Sequence, residues 1–198
     1  MSNIPDAPAP KGGGNFITFD ALPEDGPTVF TIVDFEFIKD HQNTKEDGTV
    51  EIFDALQPTL GTMTDKGARF IKPWPFRYSI HEKATYAKIF KAVTGTLPVA
   101  GAGGNPSQLI GKGVQGDVVN EDKVSKKNRA YTTSKIKSYS PVHPKLRGDI
   151  APLATLLPEL AKAIAASKAK AEGKDQPDTH PRYAPSTKSA PVTEDAPF

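Results

Sequence analysis

Cationic and aromatic side chains concentrated in two stretches of the chain are the residues best suited to chemistry. The first stretch is RFIKPWPFRYSI, residues 69–80, and the second covers residues 126–137. Single-stranded nucleic acid is bound by cations that follow its phosphates and by flat rings on which unpaired bases stack. The candidate DNA contacts are Arg69, Lys72, Trp74, Arg77, Lys126, Lys127, Arg129, Tyr131, Lys135 and Lys137. This combination indicates a surface for a single-stranded polyanion.

The aromatic residues of the first stretch share one parity, so they compete for the same face of a strand. Trp74, Phe76 and Tyr78 alternate, and they cannot all be both in register and exposed. Trp74 is therefore either a stacking residue or part of the core. We expect Tyr78 to be core. Arg77 has the opposite parity and is predicted to point outward, toward phosphate.

The net charge of +2 conceals an uneven distribution along the chain. Residues 1–64 carry three basic and eleven acidic side chains, a net −8. Residues 65–140 carry fourteen basic and five acidic side chains, a net +9, and the remainder has a net +1. The basic middle segment is consistent with a polyanion site, although a solvated lysine surface would look the same.

Sequence motifs of enzyme active sites and of metal sites are weak in this chain. There is no Cys, which excludes disulfides and thiolate metal sites. The four histidines are scattered, without the paired spacing of a zinc site. The stretch 111–116 matches G-x-G-x-x-G but enters a predicted strand, whereas a dinucleotide site needs a helix after the glycines. We expect no enzymatic activity, no metal and no cofactor.

Both ends of the chain have the composition of disordered segments. The chain contains 19 Pro and 16 Gly and is only 37% hydrophobic, which points to a small core with unstructured flanks. We predict a disordered arm over 1–27 and a disordered tail over 173–198. The N-terminus shows no secretory signal, and no stretch is apolar enough to span a bilayer. The expected location is the cytoplasm.

Five strands and two helices must position these residues. Dense β-branched and aromatic residues predict strands at 28–40, 49–63, 69–80, 109–120 and 129–142, with Phe35 and Phe37 in the core and the second strand interrupted or ended by Pro58. A capping box at Ser79 and Glu82 predicts the start of a helix that Gly95 closes. An apolar stripe in that helix is formed by Tyr86, Ile89, Phe90 and Val93. A second stripe, from Leu153 to Ile164, predicts a C-terminal helix at 152–172.

The order of these elements predicts a five-stranded OB-type barrel over 28–143, mainly β, with a helix between the third and fourth strands. Such a barrel binds oligonucleotides with one face and with the loops after its first and fourth strands. Those loops would be HQNTKEDG, 41–48, and EDKVSKKN, 121–128. The C-terminal helix follows as a separate segment, 144–172.

Three pieces of the sequence resemble a group of tailed-bacteriophage replication-region proteins. They are FRYSIHEKATYAKIFKAVTG (76–95), LIGKGVQGDVV (109–119) and YTTSKIKSYSPV (131–142). Members of that group are regarded as OB-fold single-stranded DNA-binding proteins. The resemblance implies the same fold, single-stranded DNA as the ligand and the cytoplasm of a bacterial host as the location.

The last five residues, Glu-Asp-Ala-Pro-Phe, form an acidic tip suited to capture by another protein. A terminal ring fits a pocket and a terminal carboxylate fits a basic clamp. The tip is similar to that of bacterial single-stranded DNA-binding proteins, which recruits replication and repair partners. That similarity implies partner contacts at Glu194, Asp195, Pro197 and Phe198.

Together these patterns predict a protein that coats and protects single-stranded DNA, without sequence specificity, during phage replication or recombination. Its tip would recruit a polymerase, helicase or nuclease, and could compete with DNA for the basic face. Two alternatives remain open at this stage. One is an accessory interaction protein that uses the Leu-rich helix 153–164 for docking or dimerisation, and the other is an RNA-binding or annealing protein of the same fold.

Overall fold

The computed structural model describes residues 19–45, 47–100, 104–124, 128 and 130–172. The predicted contacts Lys126, Lys127 and Arg129, the acidic tip and most of both predicted disordered ends lie outside these residues. The strands are β1 (Gly26–Thr44), β2 (Val50–Thr64), β3 (Gly67–Ile71), β4 (Phe76–Arg77), β5 (Gly113–Val124) and β6 (Ala130–Ser140). The α-helices are α1 (Thr85–Thr94) and α2 (Leu153–Glu172), and short 3₁₀ turns lie at Pro106–Leu109 and Pro144–Asp149.

All strands belong to one antiparallel sheet, so the predicted mainly β class is confirmed. The strand order is β3-β2-β1-β5-β6, and β4 pairs with β2. Within the described residues no ladder joins β3 to β6, and the sheet is not closed into a barrel. The sheet therefore has six strands and no closing ladder, whereas the sequence predicted five strands in an OB-type barrel.

The extra strand arises because the predicted third strand, 69–80, is divided by prolines. β3 ends at Ile71 and pairing resumes only at Phe76. Pro73 and Pro75 have no backbone N–H to donate to a ladder. The side-chain amide of Gln57 donates instead to the carbonyl oxygen of Pro73 at 2.8 Å, which holds the segment between the two short strands against β2.

Pro58 does not interrupt the second strand, contrary to the sequence prediction. It is buried and lies opposite Phe35 within the β1–β2 ladder. The register of β1 shifts nearby, between Ile32 and Asp34. Such a bulge changes the local pairing, and β2 continues through the proline to Thr64.

Two long ribbons extend from the sheet, and they shorten the predicted loops. β1 and β2 remain paired as far as Thr44 and Val50, so much of the predicted loop 41–48 is strand. β5 and β6 remain paired as far as Val124 and Ala130, so the first half of the predicted loop 121–128 is strand as well. The predicted fourth strand begins late, at Gly113, because residues 109–112 form a turn that exchanges backbone hydrogen bonds with Ile32.

Helix α1 fills the inner face of the sheet with the predicted apolar stripe. Tyr86, Ile89 and Phe90 are buried against strand residues such as Phe30 and Leu60. Gly95 closes the helix as predicted, with φ 81° and its N–H donating to the Lys91 carbonyl at 2.8 Å. The predicted capping box does not form. The helix starts later, at Thr85, and the Ser79 hydroxyl accepts a hydrogen bond from the His81 N–H at 3.2 Å instead.

Helix α2 covers the outer face of β1, β2 and β3. Leu156 is fully buried in a cluster with Val33 and Phe70. A Cβ on Gly61 would lie 3.0 Å from Leu156 Cδ1, so the missing side chain permits this close approach. The helix confirms the prediction at 152–172, but its main stripe packs on the chain's own sheet. The stripe is therefore largely unavailable for the docking or dimer role considered above.

The described part of the predicted N-terminal arm packs against the sheet. Leu22 is buried, and its N–H donates to the Ser134 hydroxyl at 2.7 Å. Asn120 returns a hydrogen bond from its side-chain amide to the Leu22 carbonyl at 2.9 Å. The packed domain thus begins before residue 28. None of the helices in the described ranges is long and apolar enough to cross a membrane.

Candidate nucleic-acid interface

Trp74 is the most exposed large apolar side chain of the described residues. Its relative exposure is 69%, and it lies between Pro73 and the buried Pro75 in the connection from β3 to β4. Proline fixes the backbone φ angle, so the backbone on both sides of Trp74 has restricted conformational freedom. Of the two readings left open by the sequence, the structure places Trp74 at the surface rather than in the core.

Arg69 and Lys72 flank this connection but are already engaged with carboxylates. Lys72 Nζ is 2.5 Å from a Glu36 carboxylate oxygen, and its side chain is only 19% exposed. Arg69 is paired more loosely, at 3.9 Å from Asp20. Lys72 is therefore the least accessible of the predicted cations in this part of the chain.

Arg77 points outward, as its parity predicted, and its guanidinium lies over the ring of Phe53. The distance from its Cζ to the ring centroid is 4.9 Å, a cation–π geometry. Glu51 lies 3.9 Å away. The pKa of Glu51 is lowered mainly by the hydrogen bond from Lys45, with a smaller contribution from Arg77. With its side chain 59% exposed, Arg77 keeps donors free for a phosphate.

Tyr131 and Lys135 lie along β6 at positions of the same parity, which share one face of a strand, and Lys137 lies at the register shift opposite Asp117 and Val118. Tyr131 is 47% exposed. Lys135 donates to Glu121 across the ribbon at 2.7 Å, and this hydrogen bond is the main cause of the lowered pKa of Glu121. Lys137 forms no ion pair with any carboxylate of the described residues. This ribbon combines an exposed ring with two lysines paired to Glu121, Lys123 and Lys135, and with Lys137.

The predicted contacts of the described residues fall into two groups by their position in the sheet order. We call Arg69, Lys72, Trp74 and Arg77 the proline-segment group, and Tyr131, Lys135 and Lys137 the ribbon group. They belong to strands at opposite ends of the sheet order. Lys126, Lys127 and Arg129, and the four residues of the acidic tail, lie outside the described residues.

Sequence reasoning missed an aromatic pocket on the inner side of β1. Phe37 and Tyr78 were expected in the core, yet their exposures are 55% and 38%. Their rings are 6.3 Å apart and nearly perpendicular, beside a cavity of about 610 Å³. The signal that could have indicated it is the Gly-rich composition of 96–107, a stretch from which Val99, Ala100 and residues 104–107 line the cavity. Phe35, also expected in the core, is half-buried and lines the same cavity.

Two tyrosines of the core region have raised pKa values. Tyr86 donates its hydroxyl to the Gly104 carbonyl at 2.6 Å, and burial raises its pKa above the ordinary tyrosine value. Burial likewise raises the pKa of Tyr139. Both phenols stay protonated through the neutral range.

The described residues also contain no cluster of three or more His, Asp or Glu side chains that could hold a metal ion. Comparisons with family models, curated proteins and solved structures give no match to this chain.

Proposed function

We propose that this chain binds and protects single-stranded DNA without sequence specificity, as part of phage DNA replication or recombination. The observation that carries the proposal is Trp74, 69% exposed between two prolines and two residues from Lys72. An indole held away from the core is a platform on which any base can stack. Tyr131 provides a second exposed ring on the β5–β6 ribbon, where it lies opposite Lys123 and on the same strand as Lys135 and Lys137.

The order of the elements supports an OB-type fold for this domain. OB folds are five-stranded and partly open, and here four strands and the divided 67–77 segment form a sheet whose inner face packs on a helix placed before β5. Helix α2 occupies the outer face at Val33, Gly61 and Phe70. DNA would therefore contact the proline-segment group and the ribbon group, rather than the covered part of that face.

The carboxylate partners of the cations do not oppose this proposal. Arg69, Arg77 and Lys135 pair with Asp or Glu at the surface. Exposed pairs of this kind are worth about 0–1 kcal/mol. Phosphates at high local density can replace such partners, and the counterions released from DNA then make affinity fall steeply with salt.

The acidic tip gives the proposal its second part. Glu194, Asp195, Pro197 and Phe198 would recruit a replication or recombination protein in the cytoplasm of a bacterial host. A chain lacking residues 193–198 should keep or strengthen DNA binding and lose partner capture. Loss of DNA binding in that truncated chain would contradict this division of roles.

Titration with oligo-dT, poly-U and duplex DNA, followed by the fluorescence of Trp74, tests the DNA-binding proposal. Trp74 is the single tryptophan, so its signal reports on the proline segment alone. We expect quenching by oligo-dT, a weaker effect of duplex DNA and a steep loss of affinity with salt. Equal or tighter binding of poly-U would favour the RNA-binding alternative. No response and no gel shift with any nucleic acid would reject the function.

A further inference from the structure

The aromatic pocket beside β1 has the dimensions of a ligand site. Its volume of about 610 Å³ falls within the roughly 300–1,000 Å³ of small-molecule pockets. The walls are contributed by β1, by β2, by the residues after β4 and by residues 99–100 and 104–110. The main lining residues are Phe35, Phe37, Leu56, Tyr78, Val99 and Ile110.

Rings hold the wall of this pocket in a fixed arrangement. Tyr78 contacts Phe37 on one side and Tyr86 on the other, with the second pair of centroids 5.2 Å apart in an edge-to-face geometry. The Tyr78 and Tyr86 hydroxyls both donate to the carbonyl oxygen of Gly104, at 3.4 and 2.6 Å. The exposed surface of Phe37 is thus presented to the cavity by an ordered support.

Asn105 and Ser107 give this pocket polar side chains. The Asn105 side-chain oxygen accepts hydrogen bonds from the N–H and the hydroxyl of Ser107, both at 3.0 Å. Those contacts orient the side chain and leave its amide nitrogen without a partner among the described residues. An NH₂ group placed in this way can donate to a carbonyl oxygen or ring nitrogen of a ligand.

The charge of the pocket selects the kind of occupant. No lining residue is charged, so a terminal carboxylate or an acidic side chain would lose its hydration without gaining a cation. Lys39 lies two residues beyond Phe37 along β1, is exposed and has no ion pair with the described carboxylates. A ligand with an uncharged flat group inside the pocket and a phosphate outside it, near Lys39, matches this arrangement.

We propose that this pocket binds an unstacked base of the single strand, in addition to the two groups described above. The inference rests on the proposed function and identifies a base-binding site on the other side of β1 from helix α2. The base would lie against Phe37 with its edge toward Asn105. Affinity then depends on the presence of a base and not only on the sugar–phosphate chain.

The test compares a dT20 strand with an abasic strand of the same length, at one salt concentration, using the full chain. Phe37→Ala removes the half-exposed ring, and Val99→Trp fills the cavity from a residue that is 60% exposed. Ile52→Ala is the matched control, because Ile52 is equally exposed at 60% and lies outside the pocket. Loss of one stacking contact weakens binding by roughly 5- to 150-fold.

We expect both pocket variants to weaken dT20 binding to that extent while their affinity for the abasic strand and their salt dependence match those of the wild type. Wild-type affinity for dT20 in both pocket variants would overturn the base pocket and leave the proposed function standing. A second outcome would also overturn the inference. If the pocket variants bind dT20 like the wild type but no longer bind a peptide with the sequence of residues 193–198, the occupant of the pocket is the acidic tip. Failure of the wild type to bind dT20 would reject the function and the pocket together.

Discussion

Replacing Leu156 by Ala tests whether helix α2 is an integral part of the domain. Leu156 is fully buried against Val33 and Phe70, and Gly61 offers no side chain that could move into the vacated space. Buried Leu→Ala substitutions cost about 2–5 kcal/mol, more where the site cannot collapse. We expect a loss of about 3 kcal/mol in the free energy of unfolding. For a domain of this size that corresponds to a decrease in Tm of roughly 6–12 °C.

Leu157→Ala provides the matched control for this experiment. It makes the same change of side chain at the next position of the same helix, but Leu157 is 48% exposed. Its cost should stay below about 1 kcal/mol, because much of its side chain already contacts water. Urea unfolding followed by circular dichroism measures both variants. Equal losses of stability in the two variants, within about 0.5 kcal/mol, would refute the docking of α2 on the sheet.

Three further predictions concern DNA binding and packing. Trp74→Ala should weaken oligo-dT binding by roughly 5- to 150-fold without changing Tm, as measured by fluorescence anisotropy; unchanged binding would remove the indole from the interface. Glu121→Gln should strengthen binding at low salt because it frees Lys135, whereas Glu82→Gln, an exposed acid outside the ribbon, should not. The pKa of Glu121 is lowered by Lys135, so its carboxylate competes with phosphate above that lowered pKa. The advantage of the Gln variant should therefore shrink as the pH falls through it, and an advantage that grew on acidification would contradict this. Gly113→Val should destabilise the domain, because even a Cβ would lie 2.4 Å from Ile150; an unchanged Tm would exclude that close packing.

The sequence predicted most elements because their signals are local. β-branched and aromatic density identified the strands, the 3–4 residue spacing identified both helices, and Gly95 marked the end of α1. The capping box failed because Ser79 forms a local turn with His81 and the helix starts three residues after Glu82. The lengths of the strands in the two ribbons were underestimated. Their polar residues have no apolar alternation that would predict a strand, although they remain hydrogen-bonded in the ladders.

Features that depend on contacts between distant segments could not be predicted in the same way. Tyr78, by its parity, and Phe37 were predicted to be core residues, but the space beside them depends on the distant residues 99–100 and 104–107 that line the cavity. Carboxylate partners such as Glu36 for Lys72 are 36 residues away in the chain, and no periodicity reveals them. The outward direction of Arg77 was predictable from alternation alone, because it requires only the local strand geometry.

The small cavity shared by Phe19, Asp20, Ala163 and Ser167 brings the two ends of the packed domain to one corner. Chain ends that lie close together make a domain suitable for circular permutation and for insertion into another protein. A short linker from this corner of α2 to residue 19, with new ends opened at the exposed Asp47-Gly48 turn, should leave every ladder of the sheet intact. The order of the segments along the chain can therefore be changed by circular permutation without changing the residues of the core.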